Sequence, residues 1–129
     1  MIFDPKNELT FTQLETCVAR TATLTGTAFD LRQYTGSVVI ALHSALGTGN
    51  ANNTLDVKIQ SSATSGGTFA DVTGATFTQV TNAVGGSYQT ISVDTRACGA
   101  WIKVIGTMAG TTPSFVFGVS LAGAKQTQP

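Results

Sequence analysis

The stretch TLDVKIQSS, residues 54–62, alternates between apolar and polar side chains from Leu55 to Gln60. Successive side chains of a β-strand point to opposite faces, so this alternation predicts a strand with one buried and one solvated face. Three aliphatic residues would face inward and three polar ones outward: Leu55, Val57 and Ile59 against Asp56, Lys58 and Gln60.

Similar runs lie on both sides of this stretch, separated by corners rich in Gly, Asn and Ser. They are GSVVIALHSAL (36–46), TFADV (68–72), GATFTQV (74–80), SYQTISVDT (87–95), ACGAWIKVIGTM (97–108) and TPSFVFGVSLAGA (112–124). The pair Thr73-Gly74 predicts a tight turn. No segment has a convincing helical period. The pattern therefore predicts an all-β fold, a single antiparallel β-sandwich (jelly-roll or Ig-like) of about 7–8 strands.

Two of these runs predict where the core lies. The run at 36–46 is fairly apolar on both faces, as a central strand requires. The run at 112–124 places its bulky residues in one row. The predicted inward rows are Val38, Ile40 and Leu42 in the first run, and Phe115, Phe117, Val119 and Leu121 in the second.

The first sixteen residues, MIFDPKNELTFTQLET, differ in pattern from the rest of the 129-residue chain. The pair Asp4-Pro5 favours an extended or turning backbone. We predict that residues 1–16 form an N-terminal arm or an edge strand, residues 17–125 the β-sandwich domain, and residues 126–129 a disordered tail. An arm would dock on a neighbouring molecule, whereas an edge strand would belong to the sandwich itself.

Charged side chains are scarce, since seven basic and seven acidic residues make up 11% of the chain and cancel to a net charge of zero. No basic stripe is present to neutralise phosphates, so we expect no nucleic-acid partner. The N-terminus lacks the apolar region of a secretory signal, and the longest apolar stretch, Val38–Leu42, is far too short to span a membrane. Zero net charge favours self-association and suits a component of an assembly.

The sequence carries no signature of an enzyme. Its single histidine, His43, could be combined on paper with Ser44 or Ser92 and with Asp56 or Asp94. No serine lies in the G-x-S-x-G sequence of a nucleophile elbow, however. We therefore expect no catalytic residue, no cofactor and no metal ion.

Cys17 and Cys98 are the only cysteines. Since no secretory signal is expected, two free, buried thiols are predicted rather than a disulfide. Two cysteines by themselves do not provide the four ligands of a structural zinc site.

Exposed aromatic side chains are the means by which a β-sandwich binds sugars. Trp101 and Tyr88 are the candidates for such a platform. A tryptophan in a strand is more commonly part of a core or of a subunit interface. Both interpretations of Trp101 therefore stand at this point.

The segments TLDVKIQSSATSGGTFADVTGATFTQVT (54–81) and YQTISVDTRACGAWIKVIGTMAGTTPSFVFGVSLAGAK (88–125) resemble small virion proteins of tailed bacteriophages. The resemblance extends over about residues 36–125 and lies in the S-x-x-x-G-G-T-F-x-D-V-T-G-A-T-F corner, the W-I-K-V strand and the closing F-V-F-G-V strand. It implies a β-sandwich of the capsid decoration (cement) or accessory type. That group shares no catalytic or ligand signature, so no functional residue is carried over.

The resemblance implies a structural virion protein that stabilises the phage head by bridging capsomers, with the major capsid protein and further copies of itself as partners. A homo-trimer is expected before a dimer, in a virion assembled in the cytoplasm of the host bacterium. The alternatives are a carbohydrate- or host-surface-binding module and a tail-tube or baseplate component. The residues expected at the interface are Ile2, Phe3, Leu9, Phe11, Leu14 and Trp101.

Overall fold

The computed structural model describes residues 8–45, 50–82 and 87–125. These residues form ten β-strands, three of which contain only two residues each. The strands are β1 (Thr10–Arg20), β2 (Leu24–Thr25), β3 (Phe29–Asp30), β4 (Tyr34–Ser44), β5 (Thr54–Ser62), β6 (Ala70–Thr76), β7 (Val80–Thr81), β8 (Ser87–Asp94), β9 (Trp101–Ala109) and β10 (Phe115–Lys125). Ile2 and Phe3, and the predicted tail at 126–129, lie outside the described residues.

The strands form two antiparallel sheets that pack as a sandwich. The four-stranded sheet has the order β1-β10-β4-β8, and the six-stranded sheet has the order β2-β9-β5-β6, with β3 also on β9 and β7 also on β5. Because β2 and β3 share one side of β9, and β6 and β7 one side of β5, the sandwich has two layers of four strand positions. The chain passes repeatedly from one sheet to the other, which is the jelly-roll arrangement. The predicted all-β sandwich is confirmed.

The core lies between the inner faces of the two sheets, where the alternating rows meet. The inward rows predicted from the sequence are confirmed, since all ten of their residues are at most 1% exposed: Val38, Ile40, Leu42, Leu55, Val57, Ile59, Phe115, Phe117, Val119 and Leu121. Ile102 and Val104 of β9 complete this layer. Burial of these side chains is the main favourable term for folding.

The predicted turn at Thr73-Gly74 is wrong. Strand β6 continues through both residues, and Gly74 adopts a positive φ of 81° that glycine accepts without strain. The pairing with β5 shifts register there, as in a β-bulge. The chain then leaves the sheet at residues 77–79, so that Phe77 and Val80 are both buried although a regular strand would place them on opposite faces.

The first strand, β1, is an edge of the four-stranded sheet and pairs with β10 over its whole length, with two register shifts. It runs from Thr10 to Arg20, so residues 10–16 and 17–20 belong to one strand. Glu15 and Arg20 lie opposite the inward-facing Val119 and Phe115. They form an ion pair of 3.9 Å, and the Arg20 guanidinium lies 5.1 Å from the centre of the Phe117 ring. Charged side chains thus close this side of the sandwich.

At the other edge of the same sheet, the side chain of Gln89 links the two layers. Its Oε1 accepts a hydrogen bond from the backbone N–H of Thr78 at 2.7 Å, and its Nε2 donates to the Thr78 carbonyl at 2.9 Å. Thr78 belongs to the segment between β6 and β7 of the six-stranded sheet. Gln89 therefore provides the hydrogen bonds that a neighbouring strand would otherwise make.

Replacing Gln89 by leucine removes both hydrogen bonds at similar side-chain volume. We expect the free energy of unfolding to fall by about 1 kcal/mol, a typical net value for hydrogen bonds that water can partly replace. Urea titration followed by circular dichroism measures this change. Gln79→Leu is the matched control, because the Gln79 amide bonds only the exposed Asp56 carboxylate. Equal losses in the two variants would contradict the proposed link between the layers.

Candidate interaction surface

The outer face of the six-stranded sheet, here called the charged face, carries side chains of both signs. They include Asp56, Lys58, Asp71 and Lys103. The Lys58 ammonium lies 3.0 Å from the Asp71 carboxylate, and the Gln60 amide donates to the same carboxylate at 2.8 Å. Hydrogen bonds from Gln60 and then from Lys58 lower the pKa of Asp71. Such exposed, paired charges are typical of a solvated surface.

The outer face of the four-stranded sheet is different in kind. Residues paired across strands share a face, and, next to the outward pair Ser37–Asp94 at one end, four outward rows cross this sheet. The rows are Phe11–Ala122–Val39–Ser92, Gln13–Ser120–Ala41–Thr90, Gly118–His43–Tyr88 with Cys17 against Gly118, and Ala19–Val116. None of these residues is Asp, Glu, Lys or Arg, and we call them together the uncharged face. At its border Asp94 is paired with Arg96 at 3.3 Å.

Large apolar side chains are exposed on the uncharged face. Tyr88 is 66% exposed, Phe11 64%, Val39 41% and Val116 37%. Among the described residues the only other large hydrophobic side chain exposed to this degree is Val18, which also belongs to β1. The four side chains on the uncharged face lie in three of its four rows, with small or uncharged polar residues between them. Several exposed apolar side chains on one face mark a site of interaction more often than single residues scattered over both faces do. The uncharged face is therefore the candidate interaction surface.

A shallow groove of about 240 Å³ beside β1 is lined by Cys17, His43, Gly118 and Glu15 among others. Glu15 is the one charged residue in this lining, and its carboxylate is paired with Arg20 at 3.9 Å. The rings of His43 and Tyr88 meet edge to face with their centres 4.5 Å apart, which fixes the orientation of the exposed tyrosine. Ser44 and Asp56 do not join His43. The serine faces inward and donates its hydroxyl to the Ala45 carbonyl, and the aspartate lies on the charged face.

Both thiols are free, as predicted, but the prediction that Cys17 is buried is wrong. Cys17 lies at the irregular part of β1, where the register shift carries its side chain to the outer face. Cys98 is half-buried in the connection between β8 and β9. Burial, and to a smaller extent the nearby Asp94 carboxylate, raise the pKa of the Cys98 thiol.

These two environments predict different reactivity towards an alkylating reagent. We expect iodoacetamide at mildly alkaline pH to modify Cys17 at least about tenfold faster than Cys98. The Cys98 thiol is less accessible to the reagent, and its raised pKa reduces the fraction of reactive thiolate. Mass spectrometry of Cys17→Ser and Cys98→Ser, each keeping one thiol, measures the two rates separately. Equal rates in dilute solution would contradict the described positions.

The structure distributes the predicted interface residues over different surfaces. Leu9 is half-buried just before β1, Phe11 lies on the uncharged face, and Leu14 packs against the core. Trp101 lies on the charged face, with the Arg32 guanidinium 5.2 Å from its ring centre. Tyr88 and Trp101 are therefore on opposite outer faces of the sandwich and do not form one sugar platform.

Other kinds of site find little support within 8–45, 50–82 and 87–125. No three His, Cys, Asp or Glu side chains come together there as a metal ion would require. No helix formed by those residues is long and apolar enough to cross a membrane.

Comparison with known proteins identifies the fold. No protein-family model matches the chain, and no curated protein is similar to it in sequence. The VP2 subviral particle of infectious bursal disease virus superposes with a TM-score of 0.53 at 15% identity, over 88% of this chain and 32% of VP2. The Gx strain of the same virus gives a TM-score of 0.53 at 10% identity, over 88% of this chain and 30% of that one.

This chain thus spans about a third of the viral chains it resembles. The CBM36-1 domain of a multidomain xylanase from the hindgut metagenome of Trinervitermes trinervoides superposes with a TM-score of 0.47 at 12% identity, over 92% of this chain and 99% of that domain. At 15% and 10% identity the likeness to the two viral chains concerns the fold alone.

Proposed function

We propose that this protein is a structural, non-enzymatic component of a tailed-bacteriophage virion, a capsid decoration (cement) protein that stabilises the head by bridging capsomers. Its partners would be the major capsid protein and further copies of itself, assembled in the cytoplasm of the host bacterium. The resemblance of residues 36–125 to small phage virion proteins suggests this role. The fold that this chain shares with a viral subviral-particle protein is consistent with this role, but the proposal does not rest on it.

The observation that carries the proposal is the difference between the two outer faces. The charged face holds side chains of both signs, among them the Lys58–Asp71 ion pair, and is suited to contact with solvent. The other presents exposed Phe11, Val39 and Tyr88 and lacks a charged residue within its four rows. This composition is typical of a protein that contacts a partner with one outer face and leaves the other face in solvent. Repeated over many copies, contacts that are individually weak add up to a stable shell.

The test is to delete the gene from the phage and to examine the purified heads. We expect heads without the protein to rupture at a lower temperature. Added purified protein should bind them in a fixed ratio to the major capsid protein and restore the original rupture temperature. Intact heads with defective tails would instead assign the protein to the tail tube or baseplate. Unchanged particles that still infect would contradict a structural role in the virion.

One observation favours a carbohydrate-binding module as the alternative function. The Tyr88 ring is two-thirds exposed, and it packs edge to face against the His43 ring. If a sugar stacks on this ring, Tyr88→Phe should weaken sugar binding only slightly, because the ring face is kept. Tyr88→Ala should abolish sugar binding. Trp101→Ala is the control on the opposite outer face. A glycan array without signal for the full-length protein would remove this alternative.

A further inference from the structure

We infer that the uncharged face docks against the same face of a second copy of this chain, about a twofold axis that runs along the strands. This inference rests on the assembly role proposed above and names the first partner of that surface. The contact is isologous, which means that each copy contributes the same residues. The two charged faces then point away from each other into solvent.

Charge is the first argument for a second copy as the occupant. A face packed on itself places every charged residue opposite a residue of the same set, and like charges in such a contact are costly. The four rows of the uncharged face hold no Asp, Glu, Lys or Arg, and the next outward pair, Ser37–Asp94, carries one carboxylate at the border. The bordering Asp94 is neutralised by Arg96 of its own chain. The face therefore meets its own copy without repulsion.

Area is the second argument. The two central strands, β4 and β10, have 11 residues each, and the face is four strands wide. At about 3.3 Å per residue and about 4.8 Å between strands, the whole outer surface of this sheet covers on the order of 700 Å². The four rows, which span Val116 to Ala122 on β10, take up about 440 Å² of it. A standard protein interface buries about 800 Å² on each partner. The outer surface of the sheet, with the uncharged face as its larger part, is thus close to the size that a stable dimer needs.

Shape is the third argument. The bulky Phe11 and Tyr88 occupy diagonally opposite corners, on the edge strands β1 and β8, and the centre carries the small Ala41 and Ser120. A twofold axis along the strands brings β1 of one copy over β8 of its partner. Each bulky ring then meets a corner occupied by a small side chain, so the surface is complementary to itself.

The test places a charge on the central strand β4 of the face and a matched one on the opposite side of the sandwich. Val39→Glu introduces two carboxylates beside the twofold axis, whereas Ile105→Glu on the charged face lies opposite Lys58. In sedimentation velocity we expect the full-length protein and Ile105→Glu to have twice the chain mass of 13.3 kDa. Val39→Glu should sediment as a monomer, its dissociation constant raised at least about a hundredfold.

Alkylation of Cys17 gives an independent readout, since the dimer covers the uncharged face, to which Cys17 belongs. Labelling of Cys17 in the full-length protein should slow as the concentration rises, and labelling in Val39→Glu should not change. Circular dichroism of all three proteins checks that Val39→Glu remains folded. A monomeric parent protein, a mass of three chains, or a dimer that survives in Val39→Glu would overturn the inference.

Binding to phage heads, measured alongside the oligomeric state, tests this inference separately from the proposed function. A monomer that binds phage heads, and loses that binding in Val39→Glu, would overturn the second copy and assign the uncharged face to the capsid. A dimer that leaves the stability of the heads unchanged would support the twofold contact and contradict the cement role.

Discussion

Replacing Phe117 by alanine is expected to lower the free energy of unfolding by about 3–5 kcal/mol, as for other buried aromatic side chains. The Phe117 ring is fully buried in β10, and it packs against Gly106 of the opposite sheet and beneath the Arg20 guanidinium. Its removal leaves a cavity that two regular sheets cannot collapse to fill. Since domains of this size have a total stability of about 5–15 kcal/mol, the variant should be partly unfolded in mild denaturant.

Phe11→Ala is the matched control, because it makes the same substitution at a site that is 64% exposed on the outer face of the same sheet. In dilute solution, where association plays no part, we expect a change within about 0.5 kcal/mol. Urea titration of both variants at the same low concentration gives the comparison. A loss at position 117 no larger than the loss at position 11 would contradict the inward row of β10.

The second large effect is expected at Gly99, in the connection between β8 and β9. A Cβ atom built on Gly99 would lie 2.4–2.9 Å from the backbone oxygen, carbon and nitrogen of Ser62. Backbone atoms of a central strand do not move aside as a flexible side chain does. We expect Gly99→Ala to cost about 1–3 kcal/mol, the usual range for overpacking, and to separate the connection from the end of β5.

Gly66→Ala is the control for the intrinsic effect of adding a methyl group to glycine. A Cβ atom at Gly66 has no heavy atom within 4 Å. That substitution should leave the stability unchanged or raise it by up to about 1 kcal/mol through a less flexible unfolded chain. Differential scanning calorimetry of the two variants compares them, and a melting temperature of Gly99→Ala at or above that of Gly66→Ala would refute the close approach.

Alternation in the sequence predicts the strands β4, β5 and β10 and their inward rows. It does not predict β1, which crosses the boundary set between residues 16 and 17. Residues 54–62 and 112–124 alternate because each strand has the core on one side only, and this information is local. The two-residue strands β2 and β3 carry no period long enough to detect. Glycine is common in turns and in β-bulges, so the sequence predicts a turn at Gly74. Only the pairing with β5 shows that this residue lies in a bulge.

The candidate surface could be predicted only in part. Alternation indicates that Val39 faces away from Val38, but it does not indicate what covers that side. The second apolar row of β4 therefore looked like part of a doubly covered central strand. Likewise Trp101 and Tyr88 looked like partners, since nothing local tells which sheet a strand joins. Their separation follows from the order of the strands in the two sheets.

The edges of both sheets affect how this protein behaves at high concentration. Straight, regular edge strands are templates on which further chains add and grow into fibrils. Here β1 is interrupted by two register shifts, β6 by a bulge, and the edge beside β9 consists of the two-residue strands β2 and β3. Growth by strand addition is thereby hindered at three of the four edges described, and β8 is the one edge strand among them that pairs regularly over its whole length. A fibre that grows by strand addition needs two open edges in one sheet, and the four-stranded sheet offers only one, while the broad face of the sandwich stays free for ordered assembly.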